Sequence, residues 1–253
     1  NRAGRGNEGN CFFLQGSGGS GKTYLYRTLY HRLQSLPSPI SCSMTATTGI
    51  AATLLIKGTT AHRKFKLPLN CQAGSSSSIS FESYAAEELR KTTVLIIDEA
   101  TMASKFTFNA IDKLLKEIMN SDKPFGGKII LLGGDWKQLL PVVPGASSND
   151  AVFHTLKDDD LWDSFTVLTL TKNMRAQKDP QYSTLLENIG NGLVNGVVDS
   201  NVRLEPKCIV QNVDEVVEFI YKDMNKIEPK TIAQSCILTS LNSETSEIND
   251  KVI

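Results

Sequence analysis

Two things are scarce in this chain: an excess of charge of one sign, and any long apolar run. Lys plus Arg number 27 across 253 residues and Asp plus Glu also number 27, so the bulk field cannot steer the protein toward an anionic polymer. Any contact with nucleic acid must therefore be local. No stretch approaches the ~20 apolar residues that a membrane-spanning helix needs, and residues 1–10 are polar rather than signal-like, so no membrane partner is expected. Cysteine is sparse too. Cys11, Cys42, Cys71, Cys208 and Cys236 are odd in number and widely spaced, with no CxxC pair, which argues against a disulfide framework and a structural zinc site. They read as reduced thiols of an intracellular protein. There is no internal repeat, and the chain opens on Asn1 rather than Met, which suggests a fragment. What remains is an ordinary globular composition whose 40% apolar content is ample for one large or two small cores.

The most informative segment is GSGGSGKT, Gly16 to Thr23, placed directly after the apolar run Cys11-Phe12-Phe13-Leu14. Gly16, Gly18, Gly19 and Gly21, with Ser17 and Ser20 between them, let successive backbone N–H groups turn inward around a phosphate chain. Lys22 can reach the β- and γ-phosphates and Thr23 can ligate Mg²⁺. The helix that starts here turns its positive end toward the anion. Leu25, Leu29 and Leu33 recur every four positions and Pro37 stops the run, so a strand, loop and helix stand in the required order.

A nucleotide hydrolase needs a second site, and Val94-Leu95-Ile96-Ile97-Asp98-Glu99 supplies it. Four apolar residues without alternation read as a strand buried on both faces of a parallel sheet, with the acids at its carboxyl end. Asp98 is expected to hold Mg²⁺ through water. Glu99 is expected to orient and deprotonate the attacking water. Alone, such a pair can be a mere helix cap.

Short apolar runs alternate with helix-patterned stretches, the pattern of a parallel sheet covered by helices. The strand expectations are Phe12–Leu14, Ile40–Met44, Val94–Ile97, Lys128–Leu132, Thr166–Leu170 and Cys236–Thr239. The helix expectations are Lys22–Leu33, Ile50–Ile56, Thr107–Met119, Tyr182–Ile189 and Glu215–Met224, the last capped by Asp214. Ala73 to Ser80, with its run Ser75–Ser78, reads as a flexible loop, and Asp158-Asp159-Asp160 as a helix start or a solvated turn.

Two further segments follow strands. Gly133-Gly134-Asp135-Trp136-Lys137-Gln138 comes after the Ile129–Leu132 run, and the Gln138 amide is placed to sense a γ-phosphate. The glycines could equally be a tight turn leading into Pro141. After Thr166–Leu170 comes Lys172-Asn173-Met174-Arg175, and Arg175 could stabilise charge on a transferred phosphoryl group, although an Arg after a strand is commonly a surface residue.

Together these segments resemble the Pif helicase family (named for petite integration frequency), RecD-like motors of superfamily 1B. The resemblance is carried by FFLQGSGGSGKT (12–23), TATTGIAATLL (45–55), GTTAHRKFKLP (58–68), LIIDEATM (95–102), GGDWKQLLPV (133–142) and LTLTKNMR (168–175). GTTAHRKFKLP and GGDWKQLLPV are closest to the plant and Helitron-type branch. The resemblance implies a RecA-like α/β P-loop domain over residues 1–205 with an inserted wedge or loop near 67–90. It also implies a connecting helical segment at 206–230 and the beginning of a second RecA-like domain at 231–253.

It further implies ATP and Mg²⁺ as cofactors and 5′ to 3′ travel on single-stranded DNA or at forks, by a monomer acting in repair, recombination, telomere maintenance or transposon replication. Nuclear location is expected, with the mitochondrion as the alternative. Thr47, Thr60 and His62 fall in segments that line the DNA path in that family. Phe65, among Arg63, Lys64 and Lys66, could stack on bases or belong to the core. Trp136 stands where relatives often carry Phe. With only part of the second domain present, nucleotide binding with weak hydrolysis and no unwinding is expected. Competing readings are a loader ATPase or P-loop kinase, and a non-catalytic transposon remnant that binds nucleotide or DNA.

Overall fold

The computed structural model describes residues 9–142, 150–194, 197–198, 206–222, 228 and 234–252. The chain divides into two compact units, residues 1–191 and 192–253.

In the first unit a six-stranded sheet has the order β3-β2-β4-β5-β1-β6. The strands are β1 (Cys11–Gly16), β2 (Cys42–Ala46), β3 (Thr59–Thr60), β4 (Val94–Asp98), β5 (Ile129–Gly134) and β6 (Phe165–Leu170). Every pairing within it is parallel, so all the carboxyl ends emerge along one edge, where α/β folds bind ligands. Both faces are covered. On one face Leu14, Met44, Ile96 and Leu131 pack with Tyr26 of α1 (Lys22–Gln34) and Ala52 of α2 (Gly49–Thr53). On the other, Phe13, Leu95, Ile97, Ile130 and Leu132 meet Leu89 of α4 (Tyr84–Lys91) and Phe108, Ile111 and Leu115 of α5 (Lys105–Met119). Neighbouring residues on a strand point to opposite faces, which is why strands buried on both sides are continuously apolar.

In the first unit the expected elements are present with shifted bounds. Ile40 belongs to the turn after α1, its N–H donating to the Leu33 carbonyl, so β2 starts at Cys42. The helix expected at Ile50–Ile56 closes at Thr53, because Leu54, Leu55 and Gly58 donate back three residues in tight turns. Two short elements, β3 and α3 (Ala61–Lys64), lie between it and α4. The loop through Ser75–Ser78 is tied down rather than free. Ser77 Oγ donates to the Phe65 carbonyl at 2.6 Å, Ser78 N–H donates to the Lys66 carbonyl at 3.1 Å, and Ile79 is buried. Among the acids of the 158–160 run, Asp158 pairs with Lys105, and Asp159 caps a 3₁₀ turn by accepting from the Leu161 N–H.

The second unit holds a two-stranded antiparallel ribbon, β7 (Leu193–Val194) with β8 (Val197–Val198), then α7 (Val213–Tyr221) and α8 (Asn242–Val252). α6 (Pro180–Gly190) ends the first unit. Asp214 does not cap α7. Asn212 does, accepting from the Glu215 N–H at 3.0 Å while Glu215 Oε2 accepts from the Gln211 N–H, a reciprocal capping arrangement that leaves Asp214 to pair with Lys251. Met224, expected inside this helix, lies outside the described residues. Cys236–Thr239 forms no strand; Leu238 is 89% exposed there, and an apolar run without a ladder partner has nothing to satisfy its backbone.

The cysteines report on this packing. Burial pushes the Cys11 and Cys42 thiols up to about 11 and raises that of Cys71, whereas Cys208 and Cys236 are exposed. At pH 8 a thiol titrating near 11 carries on the order of 10²-fold less thiolate than a free one. Two thiols are expected to react rapidly with Ellman's reagent in the native chain and five in denaturant. A third fast thiol would show that the loop around Cys71 opens, and a fourth that the sheet does.

Candidate functional site

The glycine-rich loop leaves β1 at Gly16 and enters α1 through Gly21, whose φ of 97° is left-handed and whose side of the helix has no side-chain cap. The first N–H groups of α1 thus point into the loop without a protein partner from a capping side chain. Three glycines lie against other side chains of the site, and Gly19, at a φ of 84°, is the most constrained. A Cβ on Gly16 would overlap Ser20 Oγ. One on Gly18 would sit 3.3 Å from Gln138 Nε2, and one on Gly19 would sit 2.6 Å from Arg175 Cβ. Lys22 is only 8% exposed, and its ammonium donates to the Gly16 carbonyl at 2.6 Å, held within the loop it would leave to meet an anion. Thr23 follows it, half-buried, in the first turn.

The register of the sheet brings the other segments here. Leu14 of β1 lies beside Gly133 of β5 and Gly16 beside Leu170 of β6, so the chain leaving β5 and the chain leaving β6 both return over the loop. Gln138 and Arg175, distant in sequence, line one cavity of about 530 Å³ with Ser17, Gly18, Asp135, Lys137 and Asn173, walled on its far side by Tyr182 and Leu186 of α6. The Asn173 carboxamide oxygen accepts from the Arg175 and Ala176 N–H groups, and Met174 N–H donates to the Gly19 carbonyl at 2.9 Å, fixing this arm to the loop.

The acids are equally well determined. Asp98 is 5% exposed at the end of β4, and its Oδ1 accepts from Tyr26 Oη at 3.2 Å and from the Glu99 N–H at 2.9 Å. Burial raises its pKa, while the Glu99 N–H, the charge on Lys22 and the Tyr26 hydroxyl pull the other way. Glu99 sits in the left-handed region at φ 53°, uncommon for a residue with a side chain, and its Oε2 is buried with no protein partner. Burial first, then the negative charges of Asp98 and Asp135, raise its pKa; Lys22 opposes them. Among the described residues no group of three acidic, His or Cys side chains is placed to ligate a metal by protein atoms alone; Asp98 and Glu99, both within the influence of Lys22 and the latter with an orphaned buried oxygen, fit a Mg²⁺ held largely through water and phosphate.

Some residues here escaped the sequence reading. Tyr26 is fully buried, and burial together with the Asp98 charge keeps its hydroxyl protonated far above neutral pH. Its spacing of four from Lys22 put it on the same helix face, which was the available signal. Asp135, buried and accepting from the Lys137 N–H, also belongs to the site. Trp136 stacks on Phe13 with centroids 5.3 Å apart, meets Trp162 edge-on, and carries Lys157 4.5 Å above its ring, so the large ring is a core element beneath the Gln138 segment.

The expected DNA contacts fare unevenly. Phe65 is 0% exposed and packs in the core beside α4 and α5, so it cannot stack on a base; of its two readings the core one holds. Lys64 is paired with Glu88 at 2.8 Å, leaving Arg63 and Lys66 as the exposed cations of that patch. Thr60 caps α3, accepting from the Arg63 N–H. Thr47 donates its hydroxyl to the Glu99 carbonyl at 2.7 Å. His62 is half-buried, which lowers its pKa, and lines a second cavity of about 500 Å³ with Leu69, Met102, Phe106 and His154.

Comparison with known proteins identifies the family and the fold. The family model described as PIF1-like helicase matches residues 2–200. The ATP-dependent DNA helicase Pif1 of Psychrobacter sp. (strain PRwf-1) is 32% identical over 236 residues, covering 89% of this chain and 35% of that protein. The ATP-dependent DNA helicase RRM3 of Saccharomyces cerevisiae is 30% identical over 195 residues, covering 76% and 26%. Among solved structures, Pif1 helicases described at forked duplex DNA superpose with a TM-score of 0.68 at 25% identity, covering 97% of this chain and 54% of theirs. Bacteroides Pif1 in complex with ADP-AlF3 and single-stranded DNA gives 0.64 at 26% identity, covering 88% and 55%. The chain thus spans a quarter to a third of these curated relatives and just over half of the solved ones.

Proposed function

Because the chain belongs to the PIF1-like helicase family, we propose that it is the ATP-hydrolysing part of a DNA helicase that couples turnover to movement along single-stranded DNA. The observation that carries this is the convergence of the glycine loop, Asp98, Glu99, Gln138 and Arg175 on one carboxyl edge of the sheet. Four stretches separated by tens of residues meet there, and each offers a different function that phosphoryl transfer requires.

The loop N–H groups and Lys22 bind the phosphates, and Thr23 and Asp98 would hold Mg²⁺, which supplies neutralisation of the phosphate charge. Glu99 orients a water and accepts its proton as the water oxygen bonds to the γ-phosphorus. The bond to the β–γ bridging oxygen breaks, with its electron pair passing to ADP. A raised carboxylate pKa suits a general base. Gln138 and Arg175, at the loop, read the γ-phosphate and stabilise the charge on the group in flight.

For the DNA side, Thr47, Thr60 and His62 lie near that same edge of the fold, with Arg63 and Lys66 supplying local positive charge. Residues 67–90 are proposed as the wedge, and residues 231–253 as the start of a second RecA-like domain beyond a first domain of 1–205. The plant and Helitron-type branch, 5′ to 3′ polarity, work in repair, recombination or telomere maintenance, and a nuclear location follow from the resemblance and are part of the proposal.

The test is ATP hydrolysis by the purified chain with and without single-stranded DNA. Turnover stimulated by DNA is expected. Bound nucleotide with no turnover under any DNA condition would instead favour a non-catalytic binding module.

A further inference from the structure

We infer that Tyr26 is a positioning residue for the metal-binding aspartate, and that Gly133 is bare in order to admit its hydroxyl. The inference rests on the nucleotide-site reading above and names a residue that no part of that reading requires.

Tyr26 reaches across from α1 to the end of β4, with its side chain fully buried between the sheet and the helix. Its Oη donates to Asp98 Oδ1 at 3.2 Å, and the Glu99 N–H donates to the same oxygen at 2.9 Å. Both bonds fall on Oδ1, so they fix the rotation of the carboxylate and turn Oδ2 away from the two donors. A carboxylate pinned through one oxygen presents the other in a single direction, which is how outer-shell partners sharpen metal affinity.

Gly133 of β5 makes room for this. A Cβ there would overlap Tyr26 Oη, come within 2.8 Å of Cζ, and lie 3.3 Å from Asp98 Oδ1. The hydroxyl, the missing side chain and the aspartate oxygen therefore share one small volume at the carboxyl edge of β4 and β5. The Gly-Gly pair that closes β5 is not explained by backbone conformation, since neither Gly133 nor Gly134 has a positive φ.

The experiment uses the whole chain and a slowly hydrolysed methylanthraniloyl ATP analogue, whose fluorescence reports binding. Mg²⁺ is titrated into wild type, Tyr26→Phe, Gly133→Ala and Asp98→Asn, and the thermal midpoint of each is read in EDTA. Tyr26→Phe keeps the ring and its packing. It is expected to raise the Mg²⁺ concentration at half effect about 10-fold while leaving nucleotide affinity in EDTA unchanged. Gly133→Ala displaces the hydroxyl and is expected to give the same shift although the tyrosine remains, and the double variant to be no worse than either alone. Should Gly133→Ala fail to fold, Tyr26→Phe decides alone. A lowered midpoint with an unaltered Mg²⁺ response in Tyr26→Phe would overturn the inference, making the tyrosine a packing residue only. Wild type that binds no nucleotide at any Mg²⁺ concentration would overturn the nucleotide-site reading, and this inference with it.

Discussion

Replacing Lys22 by alanine is expected to lower ATP turnover by about 10²–10³-fold, the loss that follows removal of one charged donor aimed at a developing phosphate charge. The ammonium lies within the glycine loop, and no other lysine donates to the loop carbonyls among the described residues. Nucleotide binding is expected to weaken with it. The variant also leaves the Gly16 carbonyl without its donor in a buried setting, which costs about 1–3 kcal/mol. A thermal midpoint a few degrees lower should therefore accompany the lost turnover, visible by circular dichroism. A variant that keeps its turnover would move the phosphate site elsewhere.

Glu99→Gln separates chemistry from binding. The amide keeps the size and hydrogen-bonding reach of the side chain but cannot accept a proton from water, so kcat is expected to fall by about 10²–10⁴-fold with nucleotide affinity retained. Single-turnover measurement with tight-binding nucleotide would show the defect in the hydrolysis step itself. Stability should move the other way. The Glu99 pKa is raised by burial and by the charges of Asp98 and Asp135, so the protonated form is the one the fold favours. That favourable contribution is complete below the unfolded-state pKa and is lost as pH rises through the folded-state value. In EDTA at neutral pH, Glu99→Gln is expected to melt above wild type. The gap should close as pH falls toward the carboxylate range. A variant no more stable than wild type at pH 7 would show that the three acids are already well compensated.

The parts legible from sequence were those whose cause is local. The runs at Phe12–Leu14 and Val94–Ile97 read as strands because burial on both faces demands unbroken apolar residues, and the glycine loop was readable because its conformation needs the missing side chains. The short elements β3 and α3 were not visible: two or four residues carry no periodicity, and they exist because Thr59 and Thr60 find the free edge of β2. α4 was missed for a similar reason, since only Ala86 and Leu89 are buried in it and its cap, Ser83, stands in a serine-rich stretch. Phe65 was undecidable because an aromatic between cations looks the same whether it faces solvent or core. Tyr26 was hidden because its partner lies 72 residues away. Cys236–Thr239 had a strand's composition without a neighbour to make it one.

A hydroxyl has one hydrogen to give, and the one on Thr47 is given to the backbone carbonyl of Glu99, the residue proposed to handle the water. The Thr47 N–H donates to the carbonyl of Asp98, so β2 and the acidic turn are stitched together by two adjacent bonds from a single residue. Any phosphate oxygen that claimed the hydroxyl's hydrogen would have to take it from Glu99, releasing one of the ties on a left-handed turn. Occupancy at the carboxyl end of β2 and the posture of Glu99 would then be alternatives for the same proton, linked through one side chain and no moving domain.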